Sequence, residues 1–270
     1  MYMGTDKSDS KRCILLKIGS NTLTKGTDVI SRDKIADIAR QISKLQDQYQ
    51  FVIVSSGAIT AAKEFVELDN TNSKIEVKQA LASIGQPFLM RLFQETFAHY
   101  NLLTSQCLLS YADFENEKTQ KNISNTIRVL LDNNYIPIIN ENDTVSTDEI
   151  KFGDNDKLAA LTSALLKVDL CMIATNTDGI YTKASMGKGT PETIKKVLDI
   201  ETLINEVSDE KSSHGTGGME SKIVATNINH KANIDTWIVN GHKDNFITDA
   251  IKNKSDFTKI LGYKNSVIDT

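Results

Sequence analysis

The sequence predicts an α/β protein built on a mostly parallel sheet with helices on both faces. Three observations carry this. Short apolar, β-branched runs recur along the chain with the near-uniform hydrophobicity of strands buried on both sides. Segments with helical spacing of apolar residues separate them. The two kinds alternate instead of clustering, which is the pattern of βαβ units.

The runs are Cys13 to Ile18, Phe51 to Val54, Gln106 to Leu109, Tyr135 to Ile139, Asp169 to Ala174 and Thr236 to Val239. After the first, Ile35, Ile38, Ala39, Ile42 and Leu45 share one helical face; Leu81, Ile84, Phe88 and Leu92 follow the second, and Leu158, Leu161 and Leu165 precede the fifth. The stretch Ala184 to Ser213 is rich in Lys, Glu, Gly and Ser with little periodicity, and reads as a mobile excursion holding a hairpin and a short helix. A further helix is expected from about Met219 to Asn233. Residues 1–11 are polar and read as a disordered tail. With no internal repeat and no strong shift of composition, residues 12–270 are expected to form a single domain.

Composition narrows the class. A chain of 270 residues is one large domain or two small ones, and 14 glycines with 3 prolines are too few for a collagen-like or linker-like chain. The 31 basic and 35 acidic residues give a net charge of −4 without a long run of either sign, so neither nucleic acid nor a membrane surface is expected as a partner. No apolar stretch reaches the roughly 18 to 20 residues needed to cross a bilayer, and the N-terminus lacks a signal-peptide core; a cytoplasmic protein is expected. Cys13, Cys107 and Cys171 are far apart inside apolar runs and are expected as buried, strand-borne free thiols. His99, His214, His230 and His242 lack metal-type spacing, and no protein metal site is expected.

Open parallel sheets carry their chemistry at the carboxyl ends of strands. Those ends are polar here: Lys17-Ile18-Gly19-Ser20, Ser55-Ser56-Gly57-Ala58, Asn140-Glu141-Asn142-Asp143 and Thr175-Asn176-Thr177-Asp178-Gly179. Two more polar clusters open helices, Gly153-Asp154-Asn155-Asp156-Lys157 and Gly215-Thr216-Gly217-Gly218-Met219-Glu220-Ser221-Lys222. Backbone N–H groups at a glycine-rich helix start suit a phosphate, and an anion there would relieve the electrostatic misplacement of Lys222 in a first turn. The alternative is a glycine loop that merely turns the chain. Lys17, inside an apolar strand, either snorkels from the sheet end or meets an anion, and Gly19 would let that anion approach the backbone. Asp143, Asp154 and Asp156 serve either a ligand or as helix caps. Neither a Walker A motif nor a G-x-S-x-G elbow occurs.

In order, LLKIGSNTLT, VIVSSGAITAAKE, QALASIGQPFLM, NTIRVLLDNNYIPIINENDTV, IKFGDNDKLAAL, TNTDGIYT and GTGGMESK resemble the signature blocks of the glutamate 5-kinase family, within the amino acid kinase superfamily. The resemblance spans roughly Cys13 to Gly241. It implies a three-layer α/β/α sandwich and transfer of the γ-phosphoryl group of ATP, with Mg2+, to the side-chain carboxylate of L-glutamate, the first step of proline biosynthesis. By motif match, Lys17 and Lys222 contact the transferring phosphoryl group and Asp156 holds both lysines, the two approaching from opposite sides of the sheet edge. Ser56, Gly57, Asp143 and Asn155 hold glutamate; Lys17, Gly19, Thr175, Asn176, Thr216, Gly217, Gly218 and Lys222 hold the nucleotide. Proline is the expected feedback inhibitor, near Asp113 to Asn125, and a homo-oligomer is expected.

The chemistry suits the residues. A carboxylate acceptor is ionised at neutral pH and needs no general base, and phosphoryl transfer asks mainly for positioning and charge stabilisation. Three departures stand out: the chain ends before the C-terminal PUA domain that many family members carry, Thr175-Asn176 replaces a Thr-Asp pair, and Ala61-Ala62 replaces an Ala-Gly pair. Two other readings remain at this stage, an amino acid kinase with a different acceptor and a non-catalytic amino-acid sensor on the same fold.

Overall fold

Strand β1 (Arg12–Ile18) explains why two helical layers form: Ile14, Leu16 and Ile18 pack into one apolar cluster and Leu15 into another, so both faces of the strand must be covered. In the computed structural model the described residues are 11–67, 74–146, 155–185, 191–207 and 219–264. They include β2 (Tyr49–Ser55), β3 (Leu103–Leu109), β4 (Tyr135–Glu141), β5 (Leu170–Thr175), β6 (Lys196–Val197), β7 (Asp235–Asn240) and β8 (Thr258–Ile260). These strands form one eight-stranded sheet in the order β3-β4-β2-β1-β5-β7-β8-β6. From β3 to β7 all pairings are parallel; β8 runs antiparallel to β7, and β6 pairs parallel to β8.

The helices are α1 (Ser20–Thr24), α2 (Arg32–Leu45), α3 (Ala58–Lys63), α4 (Ile75–Ala98), α5 (Glu117–Asp132), α6 (Asp156–Leu166), α7 (Ile200–Val207), α8 (Met219–Lys231) and α9 (Phe246–Ile251). Side chains of α1 to α4 and α9, among them Leu23, Ile38, Phe93 and Phe246, cover one face. Those of α5, α6 and α8, such as Ile127, Leu158 and Ala225, cover the other. The result is the expected three-layer α/β/α sandwich around a mostly parallel sheet. Local signals agree: the Ser31 hydroxyl caps α2 by accepting from the Lys34 N–H, and Asn116 caps α5 through the N–H groups of Lys118 and Thr119.

Three sequence expectations need correction. Strand β3 is not buried on both faces: among the described residues it closes the sheet and pairs only with β4, and it leaves Gln106, within the expected run, exposed. Of the three free cysteines, all strand-borne, Cys171 is fully buried while Cys13 and Cys107 are half-buried. The segment after Ala184 is packed where it is described. Tyr181 and Thr193 form an antiparallel bridge, and Val197, Ile200 and Leu203 bury themselves with Ile180, Ile238 and Ile260. Residues 186–190 and 208–213 of that stretch lie outside the described residues, as does the expected tail apart from exposed Lys11. No described helix is long and apolar enough to cross a membrane.

Candidate active site

Lys17 is the penultimate residue of β1, in register with Val54 of β2 and Ile173 of β5. The pleat turns it, with Leu15, toward the layer of α5, α6 and α8. There its Nζ lies 2.5 Å from Oδ1 of Asp156, the first residue of α6. Lys222, one turn into α8, places its Nζ 3.1 Å from Oδ2 of the same carboxylate. Lys17 therefore does not snorkel, and the two lysines converge from one layer, not from opposite sides of the sheet edge. Burial alone would raise the Asp156 carboxyl; the charges and hydrogen bonds of both ammonium groups outweigh it and hold the group below the usual carboxylate range. Gly19 follows directly, and a Cβ on it would stand 3.5 Å from Lys17 Nζ, against the ammonium group.

The ends of β2 and β4 meet beside this bridge. Gly57 has φ +107°, a left-handed conformation that favours glycine, and it turns the chain from β2 into α3. Asn155, buried at the start of α6, donates through Nδ2 to the carbonyl of Ser55 at 3.2 Å, the hydroxyl of Ser56 at 3.2 Å and Oδ1 of Asn140 at 2.7 Å. Asn155 Oδ1 and Asp143 Oδ1 are buried without a hydrogen-bond partner among the described residues. A buried acceptor left open in this way can take a donor from a bound molecule or an ordered water. The Asp143 carboxyl is pushed up to about 7, mostly by burial and further by the charge of Glu141.

Thr175 ends β5, next to β1 in the sheet, and the pleat places it on the same face as Cys171 and Ile173, hence as Lys17. Its hydroxyl lies 3.4 Å from Oδ1 of exposed Asn176. Asp178 is already engaged, accepting from Asn240 at 2.9 Å and from Lys243 at 2.6 Å. Burial would raise its carboxyl, but the hydrogen bonds and the charge of Lys243 win and lower it. Asp154, Thr216, Gly217 and Gly218 lie outside the described residues.

Sequence reasoning placed Asn140 in a polar strand end without giving it a role and did not single out Gln86; both stand behind Asn155. Their signal was there: an amide at the end of the apolar run YIPII, and another in the apolar periodicity of α4. Among the described residues no group of three or more His, Cys, Asp or Glu side chains is placed to hold a metal ion.

Two lysines on one buried aspartate at the carboxyl end of the parallel sheet, beside buried acceptors without a partner among the described residues, make a candidate site for an anionic group and a small polar molecule. The amino acid kinase family model matches residues 12–240, and the chain belongs to that family. Over 247 residues it is 38% identical to glutamate 5-kinase of Escherichia coli O1:K1 / APEC, a match covering 91% of this chain and 67% of that protein. Glutamate 5-kinase of Shigella boydii serotype 18 matches to the same extent. Among solved structures, UMP kinase from Ureaplasma parvum superposes with a TM-score of 0.63 at 18% identity, covering 93% of this chain and 99% of that one, a likeness of fold.

Proposed function

We propose that this chain transfers the γ-phosphoryl group of ATP to the side-chain carboxylate of L-glutamate, giving L-glutamyl 5-phosphate and ADP, the first step of proline biosynthesis. The observation that carries the reading is the Lys17–Asp156–Lys222 bridge at the carboxyl end of the parallel sheet. The glutamate 5-kinases among the relatives support the choice of acceptor. A carboxylate oxygen of glutamate attacks the γ-phosphorus and the bond to the β-phosphate oxygen breaks. Both partners are anions, so the barrier is largely one of bringing like charges together. Lys17 and Lys222 meet the charge on the transferring group, and Asp156 fixes where their ammonium groups sit. A magnesium ion brought in with the nucleotide would supply further neutralisation of phosphate charge.

Ser56, Gly57, Asp143 and Asn155 hold glutamate, with Asp143 facing its ammonium group. Gly19, Thr175, Asn176 and the Thr216 to Lys222 loop hold the nucleotide. Proline competes near the glutamate subsite. The test is incubation with MgATP, L-glutamate and hydroxylamine, which traps an acyl phosphate as its hydroxamate. Hydroxamate that falls with added proline and recovers with more glutamate is expected. ADP release with acetylglutamate, aspartate or carbamate instead moves the acceptor elsewhere in the family, and glutamate or proline binding with no ADP from any of them supports a non-catalytic sensor.

A further inference from the structure

Helix α4 buries one amide among apolar neighbours, Gln86. Gln86 Nε2 donates to Oε1 of Gln106 on β3 at 3.2 Å, and Gln86 Oε1 accepts from Nδ2 of Asn140 on β4 at 2.9 Å. Asn140 Oδ1 accepts from the Glu141 backbone N–H at 2.9 Å and from Asn155 Nδ2 at 2.7 Å. Four side-chain amides thus form one chain from the edge strand to the start of α6.

The polarity of this chain is dictated by backbone groups at its inner end. The Glu141 N–H is only a donor, so Asn140 must turn its oxygen that way; the Ser55 carbonyl is only an acceptor, so Asn155 must turn its NH2 that way. Asn140 is then left with a buried NH2 that needs an acceptor, and Gln86 Oε1 is that acceptor. Asn155 is left with a buried oxygen facing no protein donor among the described residues. Helix α4 is held in place to do this. At Gly85 a Cβ would lie 1.8 Å from the Ala58 carbonyl oxygen, so α4 and α3 touch backbone to backbone one residue before Gln86.

We propose that Gln86 is a positioning residue for the amino-acid subsite. By accepting from Asn140 it satisfies the NH2 that the backbone contacts leave over, and so keeps the amide chain in the orientation that offers Asn155 Oδ1, not the Asn155 NH2, to a donor on the bound amino acid. The proposal rests on reading Asn155 as part of the acceptor-binding site. Without the Gln86 acceptor, the buried Asn140 NH2 is orphaned, a costly state that rotation of Asn140 away from Asn155 would relieve.

Three variants test it: Gln86→Met, which keeps length but removes the acceptor; Gln86→Glu, which keeps an acceptor oxygen; and Gln106→Met, which cuts only the outer, exposed end. Gln86→Met should raise KM for the amino-acid acceptor at least tenfold, with kcat and KM for MgATP within about twofold. Gln86→Glu should recover most of that loss, and Gln106→Met should leave KM unchanged. An unchanged acceptor KM in Gln86→Met, or equal damage to kcat and both KM values, overturns the proposal.

A measurement independent of the acceptor's identity is solvent exchange of side-chain NH2 groups in 15N-labelled protein. Slow exchange at Asn140 and Asn155 is expected in the unaltered chain and in Gln86→Glu, and fast exchange in Gln86→Met. Fast exchange at Asn140 in the unaltered chain overturns the proposal even if no variant folds. Slow exchange together with no glutamate phosphorylation places the failure in the choice of substrate.

Discussion

Lys17 Nζ and Asp156 Oδ1 lie 2.5 Å apart, with side chains 5% and 0% exposed, so the carboxylate exchanges its hydration for the ammonium groups of Lys17 and, on its other oxygen, Lys222. Removing one partner of such a buried pair typically costs about 3 to 5 kcal/mol. Asp156→Asn should therefore lower Tm more than any exposed substitution and abolish turnover. Because the folded Asp156 carboxyl sits below its unfolded value, its contribution is present above the ordinary carboxylate range and is lost as pH falls through the folded value. The Tm gap between the unaltered chain and Asp156→Asn should accordingly close in acid. Lys17→Ala and Lys222→Ala should each lower kcat by roughly 10² to 10³. Near-normal turnover in either would leave that lysine a structural role only.

Asp143 gives a pH signature. With its carboxyl raised to about 7, it is mostly neutral at pH 6 and ionised at pH 8 in the unliganded protein. If it faces the ammonium group of glutamate, KM for glutamate should climb below pH 7 while KM for MgATP stays flat. Asp143→Asn should raise KM for glutamate at pH 8 and remove the pH dependence. Stability runs the other way. A carboxyl that titrates near 4 when unfolded and near 7 when folded costs stability as pH rises through that window. Asp143→Asn should thus raise Tm at pH 8 and leave it unchanged at pH 4. An ATP KM that suffers most would reverse the two subsites.

Gly85 has no room for a side chain: a Cβ would stand 1.8 Å from the Ala58 oxygen and 2.7 Å from the Ala62 nitrogen. Gly85→Ala must push α3 from α4, at a cost of at least about 1 to 3 kcal/mol, the usual range for overpacking. Helix α3 starts immediately after Gly57, so the Ser56–Gly57 turn should move with it and KM for glutamate should rise. Unchanged Tm and KM in Gly85→Ala would show that the two helices slide without consequence.

At the proposed nucleotide end, Asn176 keeps an acceptor oxygen but not a charge, and Asp178 is not a spare charge, since Lys243 and Asn240 already hold it. A neutral acceptor bond is worth about 0.5 to 1.5 kcal/mol and a charged one roughly twice that. Asn176→Asp should therefore change KM for ATP by less than about tenfold, and Asn176→Leu should weaken ATP more. Adding Asp178→Asn to Asn176→Asp should alter ATP binding little. Normal ATP binding by Asn176→Leu would move the nucleotide away from this strand end.

What the sequence made legible follows from how locally each feature is encoded. Strands β1, β2, β4 and β5 announce themselves because burial on both faces demands unbroken apolar runs, and Lys17 stands out because a lysine has no business in one. Strands β6 and β8, of two and three residues with sequences KV and TKI, carry no such mark. They exist because the edge beyond β7 offers them partners. The Lys17–Asp156–Lys222 bridge was foreshadowed by family motifs, not by spacing. The Gln86–Asn140 pair escaped notice for a related reason: Gln86 is a lone amide in a largely apolar helical stretch, Asn140 is one of several consecutive polar residues at a strand end, and only the fold brings them together.

The position of β1 between β2 and β5 has a consequence for the chain as it is being made. Strands β1 to β4 are synthesised first, and until β5 emerges β1 is the rim of a half-sheet, with Leu15 on the face that α8 has yet to cover and the N–H and C=O groups that will pair with β5 unclaimed. Exposed apolar edges of this kind recruit other chains, and an inward-pointing charge is one of the devices that discourage it. Lys17 is such a charge, so the ammonium group proposed for the phosphoryl site would also guard the nascent sheet. A chain arrested before Leu170 in cell-free synthesis should pellet more when it carries Lys17→Ile. Equal pelleting would assign Lys17 to the finished protein alone.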